Sequence, residues 1–298
     1  MNKRMNLWAE IKKYKHCYLW VAPFFILFGV FSLYPTIYGF LISLTNYNGF
    51  DAARFVGFEN YSSVFSDPLF WQSLLNTFVL WLMIVPLRTV FALILASVLN
   101  SSKVIGRKLY SSIVLLPYVT AIVVVASVFR MLFATESGTV NVMLNNWFGI
   151  GPIGWLDTVQ LSKISVAIMN IWRMTGYFSL IMLAGMQKIS VSVNEAAEMD
   201  GAGPVQKFIR ITMPLMAPEI FFVALISTIW IFQNVADVMV LTGGGPLNSS
   251  TTLVYYIYKT AYEFFKMGYA SALSYILFGI LIVLSWFSVK GYYGKGDE

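Results

Sequence analysis

Six apolar runs are spaced along the chain, at residues 20–41, 74–99, 112–133, 165–186, 220–241 and 270–289. A helix needs about 20 such residues to cross the roughly 30 Å hydrocarbon layer of a bilayer. A membrane barrel would instead need many strands of about ten residues with alternating apolar and polar positions. These runs are continuously apolar, so the pattern predicts an all-α polytopic membrane protein with about six transmembrane helices. The first run follows Lys12, Lys13 and Lys15, as the apolar part of a signal peptide would, but it contains Pro23 and Pro35 and leads into five further runs. It is expected to be retained as the first span.

Of the 298 residues, 58% are hydrophobic and only 11% charged, against about 45–50% and 25% in soluble domains. The mean hydropathy is +0.71. The charge missing here is the surface that a soluble protein would need. What charge there is falls asymmetrically. Lys3, Arg4, Lys12, Lys13, Lys15, Lys103, Arg107, Lys108, Lys188, Lys207, Arg210, Lys290 and Lys295 lie on one side of the predicted spans, while the opposite connections hold Arg54, Lys259 and Lys266. Basic residues accumulate on the cytoplasmic side of short connections, so both termini are expected in the cytoplasm. The net charge of +6 and pI near 9.2 then follow from topology. The basic residues are divided among separate segments with no aromatic-basic groove, which argues against a nucleic-acid partner. A single cysteine, Cys17, and a single histidine, His16, exclude an intrachain disulfide, a cysteine-cluster metal site and a zinc site with two imidazoles.

The connection over 134–160 carries a Gly/Pro-rich turn at 149–155 and is too short for an independent catalytic core. Residues 55–65, FVGFENYSSVF, mix aromatic and small polar side chains and are expected to form an interfacial helix or re-entrant cap outside the membrane. Within the runs, Pro86, Pro117, Asn170, Arg173 and Gly176 are interruptions that an inert anchor does not need. As a set they suit broken helices around a path through the membrane, although any single proline or glycine equally serves ordinary bending. Arg173 is more informative, because an ionised side chain at membrane depth is costly. It either braces the bundle or lines a polar conduit.

One segment on the basic side differs from the rest. The run from Asn194 through Glu195, Ala196, Ala197, Glu198, Met199, Asp200, Gly201, Ala202 and Gly203 to Pro204 continues through Phe208, Ile211, Pro214 and Pro218. A short helix is predicted over about 192–199, capped by Ser192 or Asn194, with Glu195 in its first turn and Gly201, Gly203 and Pro204 ending it. Ala196 and Ala197 allow another surface to approach closely. Glu195 and Glu198 share a helix face, but no histidine, nucleophile pair or phosphate-binding loop joins them and Asp200 in a catalytic site. The chain contains no GxxxxGK(S/T) phosphate loop. Gly243-Gly244-Gly245 is followed by Pro246 and is read as a flexible turn, or as a contact for a partner. No enzymatic activity, metal or cofactor is expected in this chain.

Glu195-Ala196-Ala197 followed by Asp200-Gly201-Ala202, with Ile211 and Pro214 at the matching spacing before the last two spans, resembles the EAA cytoplasmic coupling loop of ABC importer permeases. Phe58-Glu59-Asn60-Tyr61 and Leu241-Thr242-Gly243-Gly244-Gly245-Pro246 resemble the carbohydrate-uptake branch, similar to the inner permease subunits of the maltose-transporter type. The match does not extend to the extra amino-terminal spans and large external domain of the larger maltose permease, so maltose specificity is not implied. The resemblance implies one transmembrane permease domain over 1–298, with its core at about 70–290 and a coupling loop at about 188–218, in the cytoplasmic membrane of a bacterium or archaeon. It implies a second homologous permease subunit, two ATP-binding subunits that use Mg-ATP, and an extracytoplasmic solute-binding protein or lipoprotein, all operating in membrane lipid. By the same resemblance Glu195, Ala196, Ala197, Asp200, Gly201, Ala202, Gly203, Ile211 and Pro214 couple to the ATPase.

For solute contact, Tyr118, Asn170, Arg173, Tyr177, Gln233, Asn234 and Asp237 offer the directional polar groups and aromatic faces that a sugar requires. The same side-chain types equally serve contacts between helices, and Trp172 and Trp230 suit packing or anchoring. The cargo is expected to be a sugar or oligosaccharide, with a polyol or glycerol phosphate as the alternative within the same architecture. A secondary transporter or channel is a more distant reading, since it leaves the coupling loop unexplained.

Overall fold

The computed structural model describes residues 14–101 and 104–293, with Asn194 and Tyr293 described in backbone alone. Lys3, Arg4, Lys12, Lys13, Lys103 and Lys295 of the charge pattern lie outside the described residues. The fold is all-α, with up to six apolar spans. The chain divides into two compact units, one of residues 1–64 and 260–275, the other of residues 65–259 and 276–298.

In the first unit, α1 (Lys15–Ser43) is apolar over its whole length and buries none of its most apolar stretch. Such a helix has lipid as its solvent. It absorbs Pro23 and passes through one π-helical turn at Gly29–Leu33. The short helix α2 (Glu59–Phe65) follows, as expected for an interfacial segment. Here the Phe58-Glu59-Asn60-Tyr61 motif has a mechanical role. Asn60 Nδ2 donates to the carbonyls of Ser43 and Thr45 at 2.8 Å each, and Tyr61 meets the Ser43 hydroxyl at 2.7 Å. The two Asn60 bonds satisfy carbonyls that the end of α1 leaves without helical partners.

In the second unit, α3 (Pro68–Asn100) starts with Asp67 accepting from the Leu69 N–H at 2.9 Å and Pro68 in the first turn. Along the chain follow α4 (Arg107–Val119), α5 (Ile122–Leu132), α6 (Thr139–Phe148), α7 (Val159–Met186), α8 (Val191–Met199), α9 (Pro204–Leu215), α10 (Ala217–Gln233) and α11 (Ala236–Leu241), then α12 (Leu253–Tyr262) and α13 (Met267–Tyr293), which each contribute residues to both units. The third expected span is two helices, α4 and α5, meeting at 88°, and α9 meets α10 at 69°.

Pro86 lies within a continuous α3, and Asn170, Arg173 and Gly176 lie within a continuous α7. The third span breaks at the extended residues Thr120 and Ala121 rather than at Pro117, which stays helical. The fifth run was expected to be continuous over 220–241, but helix stops at Gln233 and resumes at Ala236 through an extended Asn234.

Helices α3 and α7 pack along each other and carry two apolar clusters. Toward their first ends, Leu80 and Ile84 meet Val166, Met169, Val238 and Leu241. Toward their last ends, Ala92, Ala96 and Leu99 meet Phe178, Met182, Met186 and Met216. Gly176 sets the approach of α4, because a Cβ there would collide with the Val114 carbonyl. The residues between the clusters are polar, and they form the site.

Candidate functional site

Arg88 lies one turn beyond Ile84 on α3 and is completely buried. Its Nη1 donates to Asn170 Oδ1 at 2.8 Å, its Nη2 to the Ser227 carbonyl at 3.3 Å, and its guanidinium carbon lies 4.7 Å from the centre of the Phe178 ring. Asn170, also buried, donates its Nδ2 to Asp237 Oδ2. The other Asp237 oxygen accepts from Arg173 Nη2 at 3.1 Å. Asn234, at the break between α10 and α11, donates to Asp237 Oδ2 at 2.7 Å and accepts from the Asp237 N–H at 3.2 Å. One asparagine thereby caps the restarted helix and fixes its carboxylate. The network joins α3, α7, α10 and α11.

Beside it is a cavity of about 310 Å³, lined by Arg88, Asn170, Arg173, Tyr118, Trp230, Gln233 and Asn234, with Met174 and Ile231 completing the wall. Three rings stack beside it: Tyr118 on Tyr177 at 4.5 Å between centroids, and Tyr177 on Trp230 at 5.3 Å. Hydrogen-bonding groups together with aromatic rings in one wall suit a ligand rich in hydroxyls with an apolar ring face.

Five of the seven residues singled out for solute contact line this cavity: Tyr118, Asn170, Arg173, Gln233 and Asn234. Tyr177 stands behind Tyr118 and Trp230 in the stack. Asp237 is absent from the wall, with both oxygens taken by Arg173, Asn170 and Asn234. Arg88 was overlooked because it sits inside a long apolar run. The cost of an intramembrane charge, which drew attention to Arg173, applied to it equally. Trp230, read as a packing residue, lines the cavity as well.

The loop after α11 is built rather than slack, which corrects the expected flexible turn. Gly243 and Gly244 have φ of +61° and +82°. Asn76 Nδ2 donates to the carbonyls of Asn248 and Thr251 at 2.9 and 3.0 Å, and Leu253 N–H donates to Thr77 Oγ1 at 2.9 Å. Ser249, Ser250, Thr251 and Thr252 are buried.

The segment that resembles a coupling loop is α8, a turn and α9. Helix α8 starts at Val191 after Ser190, so Ser192 and Asn194 lie within it and do not cap it, and Glu195 lies beyond its first turn. Its end is a Schellman turn: Gly201 N–H donates to the Glu198 carbonyl at 3.0 Å and Ala202 N–H to the Ala197 carbonyl at 2.9 Å, with Gly201 at φ +79°. Gly203 is extended at φ −68° and places no such demand on its residue type. Pro204 opens α9, which contains a π-helical turn, Phe208–Thr212, around Ile211 and leads through Pro214 to the bend before α10. Glu195, Ala196, Asp200 and Gly201 are exposed, whereas Ala197 is buried. Lys207 Nζ donates to Glu198 Oε1 at 2.5 Å across the turn, and this hydrogen bond and the lysine charge hold the carboxyl below its ordinary pKa. Among the described residues no group of three His, Cys, Asp or Glu side chains could hold a metal ion.

Relatives share this architecture. The family described as the binding-protein-dependent transport system inner membrane component matches residues 88–295. The lactose transport system permease protein LacF of Rhizobium radiobacter is 36% identical over 287 residues, spanning 93% of this chain and 95% of that protein. The sulfoquinovosyl glycerol transport system permease protein SmoG of Agrobacterium fabrum is 33% identical over 280 residues, spanning 93% and 90%. A chain in the crystal structure of a bacterial ABC transporter involved in the import of the acidic polysaccharide alginate superposes with a TM-score of 0.82 at 25% identity, over 96% of this chain and 98% of that one. The chain thus belongs to the binding-protein-dependent transport system inner membrane component family and is a multi-pass permease subunit of an ABC importer, of the carbohydrate-uptake branch.

Proposed function

We propose that this chain, with a second homologous permease subunit, lines an ATP-driven uptake path for a sugar or oligosaccharide across the cytoplasmic membrane of a bacterium or archaeon. In this reading both termini face the cytoplasm, two ATP-binding subunits hydrolyse Mg-ATP there, and an extracytoplasmic solute-binding protein or lipoprotein delivers the cargo. The observation that carries it is the cavity between α4, α7 and α10, whose wall combines aromatic rings with amide and guanidinium groups. The relatives named above transport carbohydrates by their names: lactose, sulfoquinovosyl glycerol and alginate.

Residues 188–218 serve as the coupling segment. Glu195, Ala196, Ala197, Asp200, Gly201, Ala202 and Gly203 present the turn to an ATP-binding subunit, and Ile211 and Pro214 carry its movement into α10. The exposed apolar side chains of Val191, Met199 and Val205 support a docking role, since apolar groups on a water-facing segment mark contact surfaces. Tyr118, Asn170, Arg173, Tyr177, Gln233 and Asn234 form or back the solute path, and Asp237 holds Arg173 in place beside it.

Proteoliposomes containing both permeases, the ATP-binding subunits and the loaded binding protein test this. Uptake should require enclosed ATP, fall to background with a nonhydrolysable analogue and depend on each component. Equal uptake without nucleotide under matched ion gradients would reject a primary transporter.

A further inference from the structure

The network holds two guanidiniums and one carboxylate, and the charged residues that line the cavity are Arg88 and Arg173. A guanidinium carries five N–H donors in a planar fork. Arg88 directs them to one side-chain oxygen, Asn170 Oδ1, and one carbonyl, that of Ser227. Arg173 has one acceptor, Asp237 Oδ1. The Nε atoms of both arginines are buried and have no hydrogen-bond partner. The Phe178 face offsets part of the Arg88 charge without accepting its in-plane hydrogens.

A brace between helices would be complete with Arg173 and Asp237 alone. Arg88 adds a second positive charge at membrane depth, where an ionised side chain is costly. Both arginines border the cavity, and so do the Tyr118 and Trp230 rings. Unmatched positive charge beside a cavity of about 310 Å³ calls for an acceptor that is itself negative. Arginine suits planar or tetrahedral oxyanions because its fork meets two oxygens at once.

Taking the cavity as part of the solute path, we propose that it is built for an acidic carbohydrate, whose carboxylate, sulfonate or phosphate group is received by Arg173, with the charge of the buried Arg88 behind it, while a sugar ring lies against Trp230 and Tyr118. A neutral sugar would leave the cationic donors without their charged acceptor. Sites built to satisfy buried polar groups discriminate strongly against analogues lacking the partner.

The test is uptake by the complete complex, reconstituted with its solute-binding protein and ATP, over a panel of matched solutes. The panel holds digalacturonate and its methyl ester, a sulfonated and a phosphorylated hexoside with their unsubstituted parents, and neutral malto-, arabino- and galacto-oligosaccharides. At least one anionic member should be taken up in preference to its neutral counterpart by about tenfold or more, the change expected from one hydrogen bond to a charged group. Arg88→Gln, assayed with the same binding protein so that delivery is unchanged, should reduce that preference by a similar factor. Equal loss of acidic and neutral uptake in a well-assembled Arg88→Gln complex would overturn the assignment, and so would preferred uptake of neutral sugars by the wild-type complex. The wild-type panel decides the matter if Arg88→Gln fails to assemble. ATP-dependent uptake of neutral sugars alone would leave the permease reading intact, whereas no ATP-dependent uptake of any carbohydrate by the assembled complex would overturn that reading too.

Discussion

At the scale of single residues, Asp237 has the most to lose. Its carboxylate is 4% exposed and is the sole acceptor for Arg173, and it also receives Asn170 and Asn234. Asp237→Asn keeps the shape, removes the charge and places an amide beside two other amide donors. Breaking one partner out of a buried pair costs about 3–5 kcal/mol, because the remaining charge stays buried. The purified complex should therefore unfold at a clearly lower temperature in detergent with Asp237→Asn. Ser227→Ala should change little, since the Ser227 hydroxyl is buried without a partner and Arg88 uses the carbonyl instead. Equal thermal shifts for the two variants would contradict this account of the network. Asn170, Arg173 and Asp237 were legible in the sequence as polar residues inside apolar runs. Their mutual distances were not, because they belong to helices far apart along the chain, and Arg88 was hidden by the apolar residues on either side of it.

At the scale of elements, the turn after α8 and the break after α10 show how differently local and tertiary signals read. Gly201 at the end of a short helix is a local signal, and the Schellman turn follows from it. The break at Asn234 carries no proline or glycine. It is held open by Asn234 and Asp237 bonding to each other and to α7, and only the folded arrangement reveals it. The Gly201 position also yields a selective test. A Cβ there meets nothing within 4 Å, so Gly201→Val has room within this chain and its cost lies in the left-handed backbone, which a β-branched residue strongly disfavours. Membrane yield should stay near wild type, while ATPase stimulation by loaded binding protein and solute uptake should fall together. Gly201→Asn should retain more of both, since asparagine tolerates positive φ. Wild-type stimulation and uptake in Gly201→Val would remove the turn from the coupling route, and loss of membrane yield would indicate a folding defect instead.

At the scale of the whole molecule, transport needs the cavity to face each side in turn, which requires some helices to move against others between two discrete packings. The connectivity of the second unit indicates where. The segment proposed to dock the ATPase runs directly into α10 through the bend at Met216, whereas α3 joins it only by side-chain contact. Helices α3 and α7 share both apolar clusters along their length, and Gly176 lets α4 lie close against α7, so these three are expected to move as one body. The sliding surface is then between α10 and the α3/α7 pair. Trp81 on α3 donates its indole N–H to Thr228 Oγ1 on α10 at 2.9 Å across that surface, outside the cavity wall. Cysteines at these two positions, with the exposed Cys17 replaced by serine, provide a reversible lock when joined by a short thiol-cleavable crosslinker. Uptake by the crosslinked complex should fall about tenfold or more relative to the same variant after reduction, the loss expected when closure can no longer shift the population between states. Association with the ATP-binding subunits should persist, because the docking segment is untouched. Undiminished uptake at complete crosslinking would place the moving surface elsewhere. Recovery on reduction would tie the two ends of the molecule together through α10, with ATP acting at one end of that helix and the solute cavity opening near the other.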